Sequence, residues 1–180
     1  MHEDVQARFA ASVLPHLDAA YNLARWLVRD AHDAQDVVQD ALVRALRHFD
    51  GFRGGDPRPW LLAIVRNAAF AWLGARRPAD IEIDGAEVDA ALAAHRLDQP
   101  PSDPESLAIA RAERREIDAA IAALPIAFRE AIVLRELEEL PYRDIARITD
   151  VPIGTVMSRL SRARHLLAGA LRPDVARIPT

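Results

Sequence analysis

The stretch from Pro141 to Leu167, PYRDIARITDVPIGTVMSRLSRARHLL, constrains this chain more than any other, because its spacing predicts two short helices joined by a sharp turn. Tyr142, Ile145, Ala146 and Ile148 fall on one apolar stripe at the 3.6-residue period, with Arg143, Asp144 and Arg147 expected to face water. Ala146 is small where a second helix must cross. Thr149-Asp150-Val151-Pro152 then breaks the period, since Asp tolerates a left-handed backbone and Pro suits the start of a new helix. Beyond the turn, Val156, Leu160, Ala163 and Leu167 recur at helical spacing and point inward, leaving Thr155, Ser158, Arg159 and Arg162 on the open side. Between Ile153 and Arg172 there are four Arg and no acid. A helix with guanidinium groups and hydroxyls on one face suits the base edges and phosphates of a DNA major groove, which is how helix-turn-helix proteins dock. The plainer alternative is a solvated amphipathic helix packed on its neighbour.

The rest of the chain is consistent with an all-α protein. Its 180 residues suffice for one medium domain or two small ones, 51% of them are apolar, and β-branched runs are short. The absence of Cys excludes a disulfide framework and thiolate metal or redox chemistry. The first ten residues, MHEDVQARFA, lack a basic region followed by an apolar core, and no run approaches a membrane span, so a cytoplasmic location is expected. All 23 basic residues are Arg, the side chain suited to planar, bidentate contact with phosphate and carboxylate.

A net charge of −4 argues against a free-standing DNA binder, but its distribution matters more. Residues 1–77 carry 10 Arg and 9 acids, 78–123 carry 4 Arg and 11 acids, and 124–180 carry 9 Arg and 7 acids. The acidity therefore sits in the middle. Residues 78–103 are acidic and bounded by Pro, and they predict a linker between two helical domains, 1–77 and 104–180.

In chain order, Phe9 to Arg29 predicts a helix burying Val13, Leu14, Leu17, Ala20, Tyr21, Ala24, Leu27 and Val28, with Pro15 near its start or at a kink. A second helix runs from about Asp33 to His48, with Ala34, Val37, Val38, Ala41, Ala45 and Leu46 available for the core. Asp33, Asp36, Gln39, Asp40, Val43, Arg44 and Arg47 stay outside. Acids early and Arg late complement the helix dipole, and Asp40 and Arg44 are at i,i+4 spacing. The acids also admit a metal site, against which the lack of a His at ligand spacing argues, or a docking surface for a basic helical partner. The loop FDGFRGGD puts Phe49 and Phe52 around Arg53, either to hold an unstacked base or as small core plugs. Asp56 caps and Pro57 opens a helix through PRPWLLAIVRNAAFAWLGARR, to Arg77, with Trp60, Leu61, Ile64, Val65, Ala68 and Trp72 inward and Arg58, Arg66, Asn67, Arg76 and Arg77 on its polar side and end. Ser102 or Asp103 starts the next helix, Pro125 breaks it, and Phe128, Ile132, Val133, Leu134 and Leu137 underlie the helix-turn-helix.

These residues resemble one family, the small two-domain bacterial sigma factors of the extracytoplasmic-function group (group 4). LPIAFREAIVLRELEELPYRDIARITDVPIGTVMSRLSRARHLL resembles the family's region 4, and DAQDVVQDALVRALRHFDGFR with PWLLAIVRNAAF resembles its region 2. The resemblance implies a promoter-specificity subunit with no catalytic residue, cofactor or metal of its own. It implies that Asp36, Gln39, Asp40 and Arg44 contact the clamp helices of the polymerase β′ subunit, and that the second domain meets the β flap. It places Phe52, Arg53, Arg66 and Asn67 at the −10 element, and Thr155, Ser158, Arg159, Arg162 and Arg164 at the −35 element. It further implies core RNA polymerase, promoter DNA and an anti-sigma factor as partners, and a cytoplasmic, nucleoid-associated protein without membrane insertion. The sequence departs from the family at Met157, often Lys or Arg there, at Thr149 and Asp150 in the turn, and at Ala71 and Gly74. A helix-turn-helix regulator that binds operators without polymerase is the competing expectation, but it leaves the acidic face from Asp33 to Asp40 without a role. An adaptor that holds another helical protein leaves Arg159, Arg162 and Arg164 idle. No nucleophile with a base and no phosphate-cradling Gly loop supports an enzyme. Whether the two halves are apposed or splayed is open from sequence.

Overall fold

A computed structural model describes residues 2–76 and 103–171, and among them every regular element is helical, as the periods predict. The first half contains α1 (His2–Val13), α2 (Leu17–Val28), α3 (Ala31–His48) and α4 (Pro57–Ala75). Pro15 separates α1 from α2 through a 3-10 turn, Leu14–His16, rather than sitting inside one helix. Leu14 is consequently 56% exposed instead of joining the core.

The α2 helix is the centre of the molecule. Its residues Leu23 to Val28 are all buried, because α3 and α4 cover one side and the second half of the chain covers the other. The α3 helix starts at Asp30, whose side chain accepts the Asp33 N–H at 2.9 Å. That bond holds the Asp30 carboxyl below its ordinary value. The cap's contribution is therefore full above the unfolded pKa and is lost as the pH falls through the folded one. Asp30→Ala is expected to cost about 1 kcal/mol at neutral pH, with the difference from wild type vanishing in acid, as read by urea unfolding at several pH values.

Asp56 and Pro57 open α4 as expected, the Asp56 carboxylate accepting the Arg58 N–H at 3.0 Å. Leu61, Val65 and Ala68 are buried, while Trp60, Ile64 and Trp72 are only half-buried. Pro59, Leu62 and Ala69 are buried as well, so α4 is covered on a second side that the sequence stripe does not reveal.

The second half contains α5 (Pro104–Ala123), α6 (Ile126–Ile132), a π turn (Val133–Leu137), α7 (Tyr142–Thr149) and α8 (Ile153–Ala170). Asp103 caps α5 by accepting from the Glu105 and Ser106 N–H groups. The helix-turn-helix forms as the spacing predicts. Asp150 takes the left-handed conformation at φ 53° and its N–H closes on the Ala146 carbonyl. Val156, Leu160 and Ala163 are at most 1% exposed and face α6 and α7. Asp144, expected in water, is instead buried at the start of α7 beside Arg147. The expected acidic linker lies outside the described residues, apart from Asp103.

The two halves are apposed. The α2 helix packs on α6 and α4 packs on α7, and the buried apolar residues form one continuous core.

Candidate nucleic-acid and polymerase interface

Three surfaces carry the residues singled out by sequence. On α3, Ala34, Val37, Ala41 and Ala45 turn inward, and one helical face is left to solvent with Asp36, Gln39, Asp40 and Arg44 all exposed. Asp40 and Arg44 form an ion pair of 2.7 Å, half in water, worth a few tenths of a kcal/mol and hence easily traded for a partner's charge. Val43 and Leu46 are 48% and 41% exposed on the same helix. Leu46 is therefore surface rather than core, and the face is acidic with apolar side chains set in it. Asp33 is drawn out of this row. It pairs with Arg76 at 3.0 Å, the Arg76 guanidinium lying 4.0 Å over the Trp72 ring. Burial raises the Asp33 carboxyl pKa, with Arg76 opposing.

On the loop before α4, Gly54 and Gly55 take φ values of 88° and 92°, which favour glycine at both positions. This turn leaves Arg53 exposed. Phe49 is a core plug, 5% exposed, whereas Phe52 is half-buried, with its ring 5.1 Å from Trp60 and 5.9 Å from Phe49. The two readings of the loop thus divide between the two rings. Phe49 fills the interior, and Phe52 tops an aromatic cluster with a partly open face. Asn67 is exposed on α4. Arg66 is not free: its Nε donates to the Glu130 carboxylate and its guanidinium lies 4.5 Å from the Phe70 centroid.

On α8, Ser158 and Arg162 are exposed and Thr155 is half-buried. Arg159 departs from the open side assigned to it. Its side chain is only 23% exposed, and its guanidinium stands 3.8 Å from Glu130. Arg164 pairs with Glu136 at 2.7 Å on the surface, and that hydrogen bond together with one to Tyr142 raises its pKa. Ile153 and Met157, one turn apart, are 48% and 54% exposed at the N-terminal end of this helix.

Sequence reading missed the two acids that organise the contact between the halves. Glu130 is 1% exposed and Glu138 4% exposed. Glu130 takes Arg66 from α4, and Glu138 takes both Arg58 from α4 and Asn22 from α2. Burial raises the Glu130 pKa, and Arg66 and then Arg159 oppose that rise. Nearby, Arg129 donates to the carbonyls of Trp26 and Leu124, each at 3.0 Å, and burial depresses it to about 10, with Arg29 adding repulsion. The available signal was a charged pair, Arg129-Glu130, set inside an otherwise apolar run, where burial demands partners.

Residues 13–78 match the family model described as Sigma-70 region 2, and residues 114–167 match that described as Sigma-70, region 4. The ECF RNA polymerase sigma-E factor of Escherichia coli (strain K12) is 38% identical over 148 residues, covering 81% of this chain and 77% of that protein. This chain belongs to the sigma-70 family. It is an RNA polymerase sigma factor. Another relative, the RNA polymerase sigma-H factor of Pseudomonas aeruginosa, is 36% identical over 168 residues, covering 92% of this sigma factor and 86% of the relative. Among solved structures, the sigma factor RpoE from Bartonella quintana, crystallised with the anti-sigma factor NepR, aligns with a TM-score of 0.69 at 30% identity, covering 93% of this chain and 98% of that one. CnrH, solved in complex with the cytosolic domain of CnrY, aligns with a TM-score of 0.63 at 25% identity, covering 92% and 88%. Among the described residues, no helix is long and apolar enough to cross a membrane, and no group of His, Cys, Asp and Glu could hold a metal ion.

Proposed function

We propose that residues 1–77 dock on the β′ clamp helices through Asp36, Gln39, Asp40 and Arg44 and read the −10 element with Phe52, Arg53, Arg66 and Asn67. Residues 104–180 bind the β flap and read the −35 element with Thr155, Ser158, Arg159, Arg162 and Arg164, and the acidic segment 78–103 joins the two. The carrying observation is the α3 face, where Asp36, Gln39, Asp40 and Arg44 are exposed together while the opposite face, Ala34, Val37, Ala41 and Ala45, is committed to the core. A basic, helical partner surface complements that face in charge. Phe52 supplies a flat apolar surface for an unstacked base, with Arg53 exposed beside it in the chain and Asn67 exposed on α4. Bond making belongs to the polymerase, while this chain positions DNA and offsets the cost of unstacking. The sigma factor works in the cytoplasm at the nucleoid. It is a sigma factor of the extracytoplasmic-function group (group 4), and by likeness to the neighbour crystallised with the anti-sigma factor NepR it is held by an anti-sigma factor.

The test is size-exclusion chromatography with bacterial core RNA polymerase, with wild type beside Asp36→Ala/Asp40→Ala. Wild type is expected to co-elute, and the double variant to bind about tenfold more weakly or worse at equal helical content. Co-elution of both proteins to the same extent would move the docking face elsewhere. Failure of wild type to co-elute would favour direct operator binding.

A further inference from the structure

The α8 residues assigned to the −35 element leave few polar groups open toward a DNA groove. Arg159 is drawn to Glu130 and Arg164 to Glu136. Thr155 is half-buried, and the Ser158 hydroxyl donates to the Thr155 carbonyl at 3.0 Å, which leaves it only as an acceptor. Arg162 is exposed, but it stands nine residues after Ile153, about 14 Å along the helix. The first turns of α8 present something else. Ile153 and Met157 are 48% and 54% exposed there, at the i,i+4 spacing that sets two side chains next to each other. Gly154, between them in the chain, is exposed, and no described atom lies within 4 Å of the place a Cβ would take. Glycine in a helix costs stability relative to alanine, and nothing in the described packing asks for it here, so its use fits the close approach of a partner's surface. Met157 is followed at steps of one, three or four residues by Ser158, Ser161 and Arg162, all exposed, so the patch is apolar at its leading end and runs on into hydroxyls and a guanidinium. From Ile153 to Arg172 there is no acid.

We propose that Ile153 and Met157 read thymine methyl groups in the −35 element, so that selectivity at those base pairs is set by apolar contact rather than by hydrogen bonds. The proposal rests on the promoter-reading assignment above and adds two residues to it. An acid-free surface with an apolar end complements a partner that is anionic and also offers apolar groups. The major groove is such a partner, with phosphates along its walls and the C5-methyl of each thymine on its floor. A recognition helix meets base edges through its N-terminal residues, which is where Ile153 and Met157 stand. Four residues of helix rise about 6 Å, close to two base-pair steps of ~3.4 Å, so the pair reaches the methyls of two thymines within that span. The unbranched thioether of Met157 adapts to the spacing, while β-branched Ile153 is stiff and fixes the register. Cytosine in either place presents a bare C5 and an amino donor, which leaves the apolar side chain opposite it without a partner.

The experiment uses the full chain bound to core RNA polymerase. The holoenzyme selects among duplexes randomised across the −35 region, and each thymine of the preferred site is then replaced by deoxyuridine, which removes the C5-methyl alone. Wild type is expected to lose about fourfold in affinity at a thymine facing Met157 or Ile153, the weight of one buried methyl. Met157→Ala should bind the thymine site more weakly and no longer distinguish deoxyuridine from thymine at its position. Met157→Leu, apolar and of similar size, should keep the methyl response, and Ile153→Ala should abolish it at the neighbouring thymine. Both side chains are exposed, so the variants should unfold thermally as wild type does. A wild type indifferent to every deoxyuridine would overturn the thymine contact, as would a methyl response that survives in both Met157→Ala and Ile153→Ala. If Met157→Ala instead weakened binding to core polymerase before DNA is added, the patch would be a protein-docking surface and the proposal would fall. A wild-type holoenzyme that enriches no sequence at −35 would overturn the promoter-reading assignment itself, and the thymine contact with it.

Discussion

Glu130→Ala is expected to destabilise the sigma factor by about 3 kcal/mol, toward the lower end of what breaking a buried pair costs. The carboxylate is 1% exposed and meets Arg66 and Arg159, whose side chains are 18% and 23% exposed. Removing it leaves two guanidinium groups facing each other across a low-dielectric seam, together with the space the side chain filled. Because both arginines reach the surface, part of their charge rehydrates, which keeps the loss below that of a fully enclosed pair. Glu130→Gln retains an acceptor for Arg66 and should lose less. Urea unfolding of both variants provides the check, and a double-mutant cycle with Arg66→Ala isolates the part that crosses between the halves. A loss under about 1 kcal/mol for Glu130→Ala would mean that the arginines recover their solvation completely.

Leu160→Ala is expected to cost about 3–5 kcal/mol, because it removes a fully buried side chain from the underside of the reading helix. Leu160 sits between Val156 and Ala163, where α8 crosses α6 and α7. Ala163, the small buried residue next along the same face, cannot reach into the vacated space, so a cavity persists. At this cost the helix-turn-helix loosens, and the seating of Ser158 and Arg162 is lost with it, although neither of those residues has been altered. Thermal unfolding measures the first effect, and binding to −35 duplex in the polymerase complex the second. An exposed control one turn away, Met157→Ala, should leave stability within about 0.5 kcal/mol of wild type. Equal losses at the two positions would contradict the inward face of α8.

What could be read from residue spacing was what depends on near neighbours in the chain. Asp103 and Asp56 capped the helices they were expected to cap, Asp150 took the left-handed turn, and Val156, Leu160 and Ala163 faced inward. Each of these follows from interactions within about four residues, which a 3.6-residue period and a cap signature encode directly. The exposed row Asp36, Gln39, Asp40 and Arg44 was legible for the same reason, as the complement of an alanine- and valine-rich inner stripe.

Where a single stripe was not the whole story, the reading slipped. Leu14 and Leu46 look like core residues by hydropathy, yet one falls on the turn made by Pro15 and the other on the α3 surface. Asp144 and Arg159 look like surface residues by charge, yet each lies against a neighbouring element. The second covered side of α4, at Leu62 and Ala69, has no local signature, because a helix that is apolar nearly all round does not say what covers it.

By itself, then, the sequence determined an all-α chain with a helix-turn-helix, a helix with an acidic outer face, and the arginines that could meet DNA. Only the tertiary structure decided that the halves close on one another, and that Arg58 and Arg66 spend their charge on Glu138 and Glu130. The reason is distance along the chain. Arg66 and Glu130 are separated by 64 residues, and no periodicity links residues so far apart. Their pairing emerges only when the π turn, the register of α4 against α7 and the shared core bring the two elements together.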